Sequence, residues 1–562
     1  MKWMKTICIA VSLGVVSTCL VQAAPTLEKP VVLKETMLSV TVSDLHGLID
    51  GIGSVAAQVS PMMNGMMLKN MLGMQLGDPG LMGIAPGKGL AIVALDPTNI
   101  FAVIEVSEAQ LPAYTNALAP QGVQAKYENG LLVIAQTEQQ LAKGVGLSTA
   151  VQNTLLAKRS PTLRITTRPA EIIKRNDEQI QQMLQMLPAL IGQNMMKAPG
   201  ATLESTQSMM KIAEGEIRVL LSLASQCEAV EVVLAPKDGS VRISETYVPK
   251  TGTRLANLGN APVLNKPNPK IQSGYLGEGA VQLDVTIANP EALMDFCIAE
   301  IEELTKTMDL SEVNLDQWIS LSKKWWAVAG GSIAETVSFD GESSINVGYL
   351  LEIKDEAAAL ALLKEIATDT EPLLKLYEGM GMSMSMDFKE NAREYNGVKI
   401  HQLTMGMSMT NQPPEVAEEL SAMNLTNMVY EIAIADGSMA YAIGAGKIES
   451  ILDHIKDKTF KPTPLVARSV YPNGGFYYSD LDIGKYMEFV LGIIPEANNP
   501  MMQQVGTLFQ GVEPITSAGL KANGCVMWSL NIPGELITKI GQMIMMMQMQ
   551  QGGGMPQPAP VQ

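Results

Sequence analysis

The sequence predicts an α+β protein built as two similar halves, each a mainly antiparallel sheet covered by helices. Three observations predict it. A strand, a capping residue and an amphipathic helix recur in the same order in both parts of the chain. Asn-Gly and Asp-Gly pairs stand between β-patterned runs, where two-residue hairpins demand positive φ. A segment rich in Pro and Asn, Asn257–Gly274 (NLGNAPVLNKPNPKIQSG), divides the chain.

The first unit is Leu38–Ile52 (LSVTVSDLHGLIDGI), matched by Val281–Phe296 (VQLDVTIANPEALMDF). In the second copy Asn289 suits an N-cap and Pro290 the first helical turn. Next, Ile100–Leu118 matches Ile345–Ile366, and Leu131–Gly144 matches Met439–Ile455. Ser107…Gln110 and Thr137…Gln140 have the spacing of a capping box, which predicts helix starts there. Leu163–Ile173 is a weaker match to Phe476–Val490. Each half ends on two strands and a tight turn: Ala229–Pro236 with Ser240–Pro249, and Ile515–Lys521 with Cys525–Pro533. The turn pairs are Asn129-Gly130, Asp238-Gly239, Asp340-Gly341, Asn396-Gly397, Asp436-Gly437 and Asn523-Gly524. Hairpins imply antiparallel pairing, with helices expected on one face of each sheet.

Length alone suggests about three domains, and the repeat reduces them to two. The expected division is a signal peptide over 1–23, a first α+β domain over 24–256, and a linker over 257–274. A second α+β domain follows over 275–550, carrying an insertion at Glu378–Met428, then a disordered tail over 551–562. The alternation of Pro262, Pro267 and Pro269 with Asn and Lys reads as a semi-rigid spacer between independently folding halves.

The N-terminal residues predict export. Met-Lys-Trp-Met-Lys is a basic start, Thr6–Val21 is apolar, and Val21 and Ala23 fill the small-residue positions for cleavage between Ala23 and Ala24. The apolar run is shorter than the roughly 20 residues that span a bilayer, so a cleaved signal is favoured over an anchor. Cys19 lacks the preceding small residue of a lipoprotein signal. No later run predicts a transmembrane helix in the mature chain. Losing Lys2 and Lys5 takes the formal charge from −17 to −19. Such a surface repels phosphate backbones, which argues against nucleic-acid binding. Cys227, Cys297 and Cys525 remain, so no disulfide framework is expected.

The opening Val40–Leu48 (VTVSDLHGL), with a looser version at Val285–Leu293 (VTIANPEAL), has the form V-x-V-x-D-L-x-x-L. With the leader and the duplication, the chain resembles a family of large, uncharacterised, internally duplicated bacterial envelope proteins. The resemblance implies a cellular setting, periplasmic or extracellular, and no site or activity.

Few chemistries have a visible basis. His46, His401 and His454 lie in separate segments and form no paired-histidine motif, which argues against a zinc protease. There is no Cys-x-x-Cys, Gly-x-Ser-x-Gly or P-loop, and no cofactor is expected. A Ser–His–Asp triad drawn from distant segments leaves no spacing to read. Glu291, Asp295 and Glu302 have helical spacing and read as a solvated face rather than a catalytic pair. Trp318 and Trp325, seven apart on a predicted helix, read as buried anchors before an aromatic ligand platform.

Methionine is the unusual feature, with 38 residues clustered at 62–74, 380–386, 405–409 and 543–549. Apolar filling is the favoured reading; thioether ligation of Cu(I) is the alternative. With Asn396-Gly397 as a two-residue turn, Met386 faces Met407, Met384 faces Met409 and Phe388 faces Met405. Met384, Met386, Phe388, Met405, Met407 and Met409 then form one apolar stripe. That stripe is a candidate core, partner surface or Cu(I) site, with Met384, Met386, Met405, Met407 and Met409 as the ligands. The function expected is an exported, non-catalytic binding or scaffolding protein of the bacterial cell envelope, acting on an envelope protein or apolar ligand. A secreted hydrolase is the first alternative and a Cu(I)-handling protein the second.

Overall fold

A computed structural model describes residues 29–551, apart from 61, 196–213, 216, 238, 261–267, 288, 309–314, 340–344, 369–381, 410–426, 473–474, 494–503 and 505. The expected signal peptide and cleavage site, and the tail after 551, lie outside these residues.

The first half supplies β1 (Leu38–Val42), β2 (Leu90–Asp96), β3 (Asn99–Glu105), β4 (Gln124–Glu128), β5 (Leu131–Ala135), β6 (Leu163–Thr167), β7 (Cys227–Lys237) and β8 (Ser240–Pro249). Its helices are α1 (Leu45–Val59), α2 (Gly65–Gln75), α3 (Leu111–Leu118), α4 (Glu138–Thr154), α5 (Pro169–Arg175), α6 (Asp177–Met195) and α7 (Arg254–Asn260). The second half supplies β9 (Val281–Thr286), β10 (Ala329–Phe339), β11 (Ile345–Ile353), β12 (Met382–Tyr395), β13 (Val398–Met409) and β14 (Asn427–Ala435). It continues with β15 (Ser438–Ile443), β16 (Tyr477–Leu481), β17 (Ile515–Ala522) and β18 (Cys525–Ile532). Its helices are α8 (Pro290–Met308), α9 (Leu315–Val328), α10 (Glu356–Thr368), α11 (Lys447–Lys456), α12 (Val466–Val470), α13 (Ile483–Ile493) and α14 (Gly534–Gln551).

The fold mixes helices with antiparallel sheet, and the two expected sheets are one. Every pairing is antiparallel, and the spatial order is β4-β5-β3-β2-β1-β6-β7-β8, then β18-β17-β16-β9-β10-β11-β15-β14-β13-β12. The seam is the β8–β18 ladder, from Val241↔Ile532 to Tyr247↔Val526. Read outward from it, both halves run hairpin, short strand, opening strand, hairpin and edge pair, and the second adds β13 and β12 at its outer edge.

Helices cover both faces rather than one, because the strands of each half alternate apolar residues to both sides. On the first face α4 packs Val151 against Val93, Phe101, Val103 and Val133. On that same face α11 packs Ile448, Ile451 and Leu452 against Leu350, Ala433 and Ala440. On the second face α1 and α3 bring Leu48, Ile49, Tyr114 and Leu118 onto Val42, Ile104 and Leu132. There α10 sets Ala359 and Leu363 on Ile353, Ile432 and Met439, with Trp325 of α9 beside them. The side chain of Trp318 lies outside the described residues.

The boundary region differs from a plain spacer. Residues 254–260 are helix α7, 261–267 lie outside the described residues, and Ile271 and Ser273 are buried. At the seam one core cluster holds Ala229 and Val248 from the first half with Leu465, Ala467, Tyr471, Tyr478, Ala518, Leu520, Cys525 and Met527 from the second.

Local chemistry follows the expected caps and turns closely. Asn129, Asn396, Asp436 and Asn523 have φ near 50°, each followed by a glycine near 75°. That is the conformation a two-residue hairpin turn requires; Asp238 and Asp340 lie outside the described residues. Asn289 Oδ1 accepts from Ala292 N at 3.0 Å, and Thr137 with Gln140 forms a full capping box. Ser107 does not cap with its side chain: residues 108–110 form a 3₁₀ turn, and α3 starts at Leu111.

Candidate functional site

The methionine hairpin is present, with a corrected register. Near the turn Tyr395 pairs with Val398 and Arg393 with Ile400; beyond it Lys389 pairs with Gln402, so β12 carries two extra residues in between. Met386 therefore faces Met405, Met384 faces Met407 and Met382 faces Met409, while Phe388 faces Leu403. The bulge was not readable because no glycine marks it. Asn391 takes φ 49° instead, and its N–H donates to His401 Nδ1 at 3.2 Å. A shift of two residues preserves the side of every residue, so the stripe survives. Phe388 and Leu403 pack against the core under α10, and Met386 and Met405 are half-buried. The side chains of Met384, Met407 and Met409 lie outside the described residues.

The first methionine cluster behaves differently. Helix α2 is capped by Asn64, whose Oδ1 accepts from Met67 N at 3.0 Å. Leu68, Leu72 and Leu76, four residues apart, turn inward onto the first-half core. Met62, Met63, Met66, Met67, Met71, Met74 and Met82 are between 41% and 77% exposed. Filling of the core therefore does not explain these methionines; leucine does that work on the opposite side of the same helix. Gly53 and Gly65 let α1 and α2 approach closely, since a Cβ on Gly53 would meet Gly65 N at 2.1 Å. Nearby, α14 packs Gly541 against Val59 of α1 and shows Ile540, Ile544 and Met545 partly to solvent.

Sequence reasoning missed a polar row on the first face of the sheet at the seam. Arg242 of β8, Asn531 of β18, Thr516 of β17 and Asp480 of β16 are successive cross-strand partners. Partners in this register project to the same side. Asn531, Thr516 and Asp480 are 5%, 1% and 7% exposed. Asn531 Oδ1, Thr516 Oγ1 and Arg242 Nε are buried without a hydrogen-bond partner. Asp480 accepts from Val466 N at 2.6 Å and Ala467 N at 2.9 Å, fastening the α12 segment over the sheet. Beside it Arg468 donates to Asp284 Oδ2 from Nε at 3.1 Å and from Nη2 at 2.8 Å.

Burial pushes the Asp480 carboxyl up to about 6 from the usual 3.8, with nearby Asp284 adding to the rise against the two backbone N–H donors and Arg468. The folded state then holds a proton that the unfolded state releases between pH 4 and 6. This contribution to stability is full below pH 3.8 and is lost as pH rises through about 6. For so buried a group the swing is on the order of 3 kcal/mol. Asp480→Asn, which mimics the protonated form, should remove that fall when urea unfolding is compared at pH 4 and pH 7. An unchanged slope in the variant would show that Asp480 titrates normally.

Several other buried or half-buried titratable groups have partners. Glu105, 3% exposed, takes Arg159 Nη2 at 2.7 Å and Gly89 N at 3.0 Å. Burial raises its carboxyl, and the Arg159 and Gly89 hydrogen bonds outweigh it, holding it below the usual range. His46 Nε2 meets Ile84 O at 2.7 Å, and His454 Nδ1 meets Tyr275 O at 2.9 Å with its ring stacked on Phe460. None of the three histidines is bonded to Ser, Thr or Cys among the described residues. Cys227 and Cys525 are buried and free, and burial pushes the Cys227 thiol up to about 11. Asp295 and Glu302 are exposed, the former lining a cleft of about 200 Å³ with Arg254, Asn257, Asn289 and Phe296.

Among the described residues no group of three or more His, Cys, Asp or Glu is placed to hold a metal ion, and no helix is long and apolar enough to cross a membrane. Compared with family models, curated proteins and solved structures, the chain matches none.

Proposed function

We propose that this protein is an exported, non-catalytic binding protein of the bacterial cell envelope, and that its binding face is the methionine-covered side of α2. The observation that carries the reading is the split of that helix into a buried leucine side and an exposed methionine side. Exposed apolar patches of this kind mark interaction sites. Unbranched, polarizable methionines adapt to partners of varied shape. The net charge, −17 for the whole chain and −19 without residues 1–23, favours a cationic partner. The occupant is therefore a polypeptide segment apolar on one side and basic on the other. The leader over 1–23 and the resemblance at Val40–Leu48 support the envelope setting. The strand order read outward from the β8–β18 seam supports descent from a duplicated unit.

The test replaces Met66, Met67, Met71 and Met74 together by Gln, which keeps length and helix propensity. Stability should change little, since substitutions at exposed sites usually stay within about 0.5 kcal/mol each. A short synthetic helix of leucine and lysine should bind the wild type and lose about tenfold or more in affinity for the variant, roughly 1.4 kcal/mol. A leucine–glutamate helix should bind neither. Equal binding of the basic helix by both proteins would overturn the reading. Saturable Cu(I) uptake lost in the variant, without peptide binding, would favour the copper alternative.

A further inference from the structure

We propose that the row Arg242, Asn531, Thr516 and Asp480 at the seam of the two halves binds a small carboxylate that carries a neighbouring hydroxyl or amino group. This inference is independent of the methionine face.

The four side chains come from four adjacent strands, β8, β18, β17 and β16, and share one level and one face of the sheet. Cross-strand neighbours at this spacing, about 4.8 Å between strands, present a continuous rank of polar groups. Asn531 and Thr516 are more than nine-tenths buried, yet Asn531 Oδ1 and Thr516 Oγ1 lack partners. Leaving such atoms unpaired costs about 1–3 kcal/mol each, so they call for a partner.

Arg242 gives the charge of that partner. Its guanidinium is half-buried, makes no ion pair with Asp or Glu among the described residues, and keeps Nε unpartnered. Burial lowers its pKa to about 10, against an opposing contribution from nearby Tyr471. An oxyanion is the group that a guanidinium fork takes up. Thr516 Oγ1 is able to donate to that same oxyanion. Asn531 Oδ1 accepts only, so the ligand must also bring a donor, which a hydroxyl or amino group beside the carboxylate supplies. Asp480, fixed by two backbone N–H groups, closes the far end of the row and disfavours a second negative charge there. On the first-half side of the same face Arg164 holds Glu231 at 3.2 Å and also leaves Nε buried and unpartnered.

The test uses the full chain and its melting temperature in L-lactate, L-serine, acetate and sodium chloride at matched ionic strength. Lactate or serine should raise the wild-type melting temperature saturably, with acetate weaker and chloride without effect. Arg242→Gln, and Arg242→Lys, which keeps the charge and removes Nε, should each need about tenfold more ligand for the same rise. Asn531→Leu should reduce lactate and serine to the level of acetate. The proposal falls if none of the carboxylates gives a saturable rise, or if the rise is the same in both Arg242 variants. It also falls if Thr516→Val and Asn531→Leu raise the melting temperature while no carboxylate shifts the wild type, since water alone then satisfies these atoms.

Discussion

Arg468→Met is expected to destabilise the protein by about 3–5 kcal/mol, the cost of stripping a buried carboxylate of its cation. Asp284 is 4% exposed and divides its oxygens between Ser273 N, at 2.7 Å, and the Arg468 guanidinium, at 2.8 Å and 3.1 Å. Methionine fills most of the volume of the arginine stem, so cavity formation adds little, and what is lost is the charge. The loss is sharpened by Asp480, the nearby buried carboxyl whose pKa Asp284 raises and Arg468 lowers. Arg468 also lies 4.5 Å from the centre of the Tyr478 ring, a cation–π contact worth about 0.5–2 kcal/mol. Urea unfolding at pH 7 measures the change. The double variant Asp284→Asn/Arg468→Met should regain a large part of it, because Asn keeps an acceptor for Ser273 N and no longer buries a charge. A loss below about 1 kcal/mol in the single variant would mean that solvent screens the pair as it does at a surface.

What the sequence made legible was local. Asn129-Gly130, Asn396-Gly397, Asp436-Gly437 and Asn523-Gly524 marked hairpins because positive φ at two successive residues leaves few alternatives. Asn289 and Thr137 marked helix starts because an orphan backbone N–H needs an acceptor. The long-range features left no such trace. The β8–β18 ladder joins residues nearly three hundred positions apart, and nothing in the spacing of either strand names its partner. On β18 the alternation of Trp528, Leu530 and Ile532 with Ser529 and Asn531 reads as one buried and one solvated side. In the fold both sides are covered, and Ser529 and Asn531 are buried. The methionines of α2 follow the same limit, since Leu68 and Met67 are equally apolar and only the position of α1 decides which one meets solvent. At the bulge the Asn391 N–H donates to His401 Nδ1, ten residues away on the next strand.

The seam gives the largest expected effect. Residues 30–256 expressed alone are expected not to fold into a cooperative unit, although among the described residues they hold β1–β8 and α1–α6 entire. Removing the second half strips β8 of the ladder from Val241 to Tyr247 and leaves an unpaired edge in what was the middle of the sheet. It uncovers Ala229 and Val248, whose neighbours Leu465, Tyr471, Tyr478, Leu520 and Met527 all belong to the other half. It also removes α14, which sets Gly541 on Val59, gives Gly534 N to Ser240 Oγ at 3.2 Å, and places Thr538 Oγ1 on Gln58 Oε1 at 2.9 Å. Uncovering Val59 and Val248 at about 1.5–3 kcal/mol each, together with the loss of the β8–β18 ladder, takes a large share of the whole stability of a domain, about 5–15 kcal/mol. The fragment should therefore associate in size-exclusion chromatography and melt without a sharp transition. Mixing it with residues 257–551 should restore a single transition near that of the intact chain, because the β8–β18 ladder re-forms between the pieces. A monomeric fragment with its own sharp transition would show instead that the seam joins two units already stable apart.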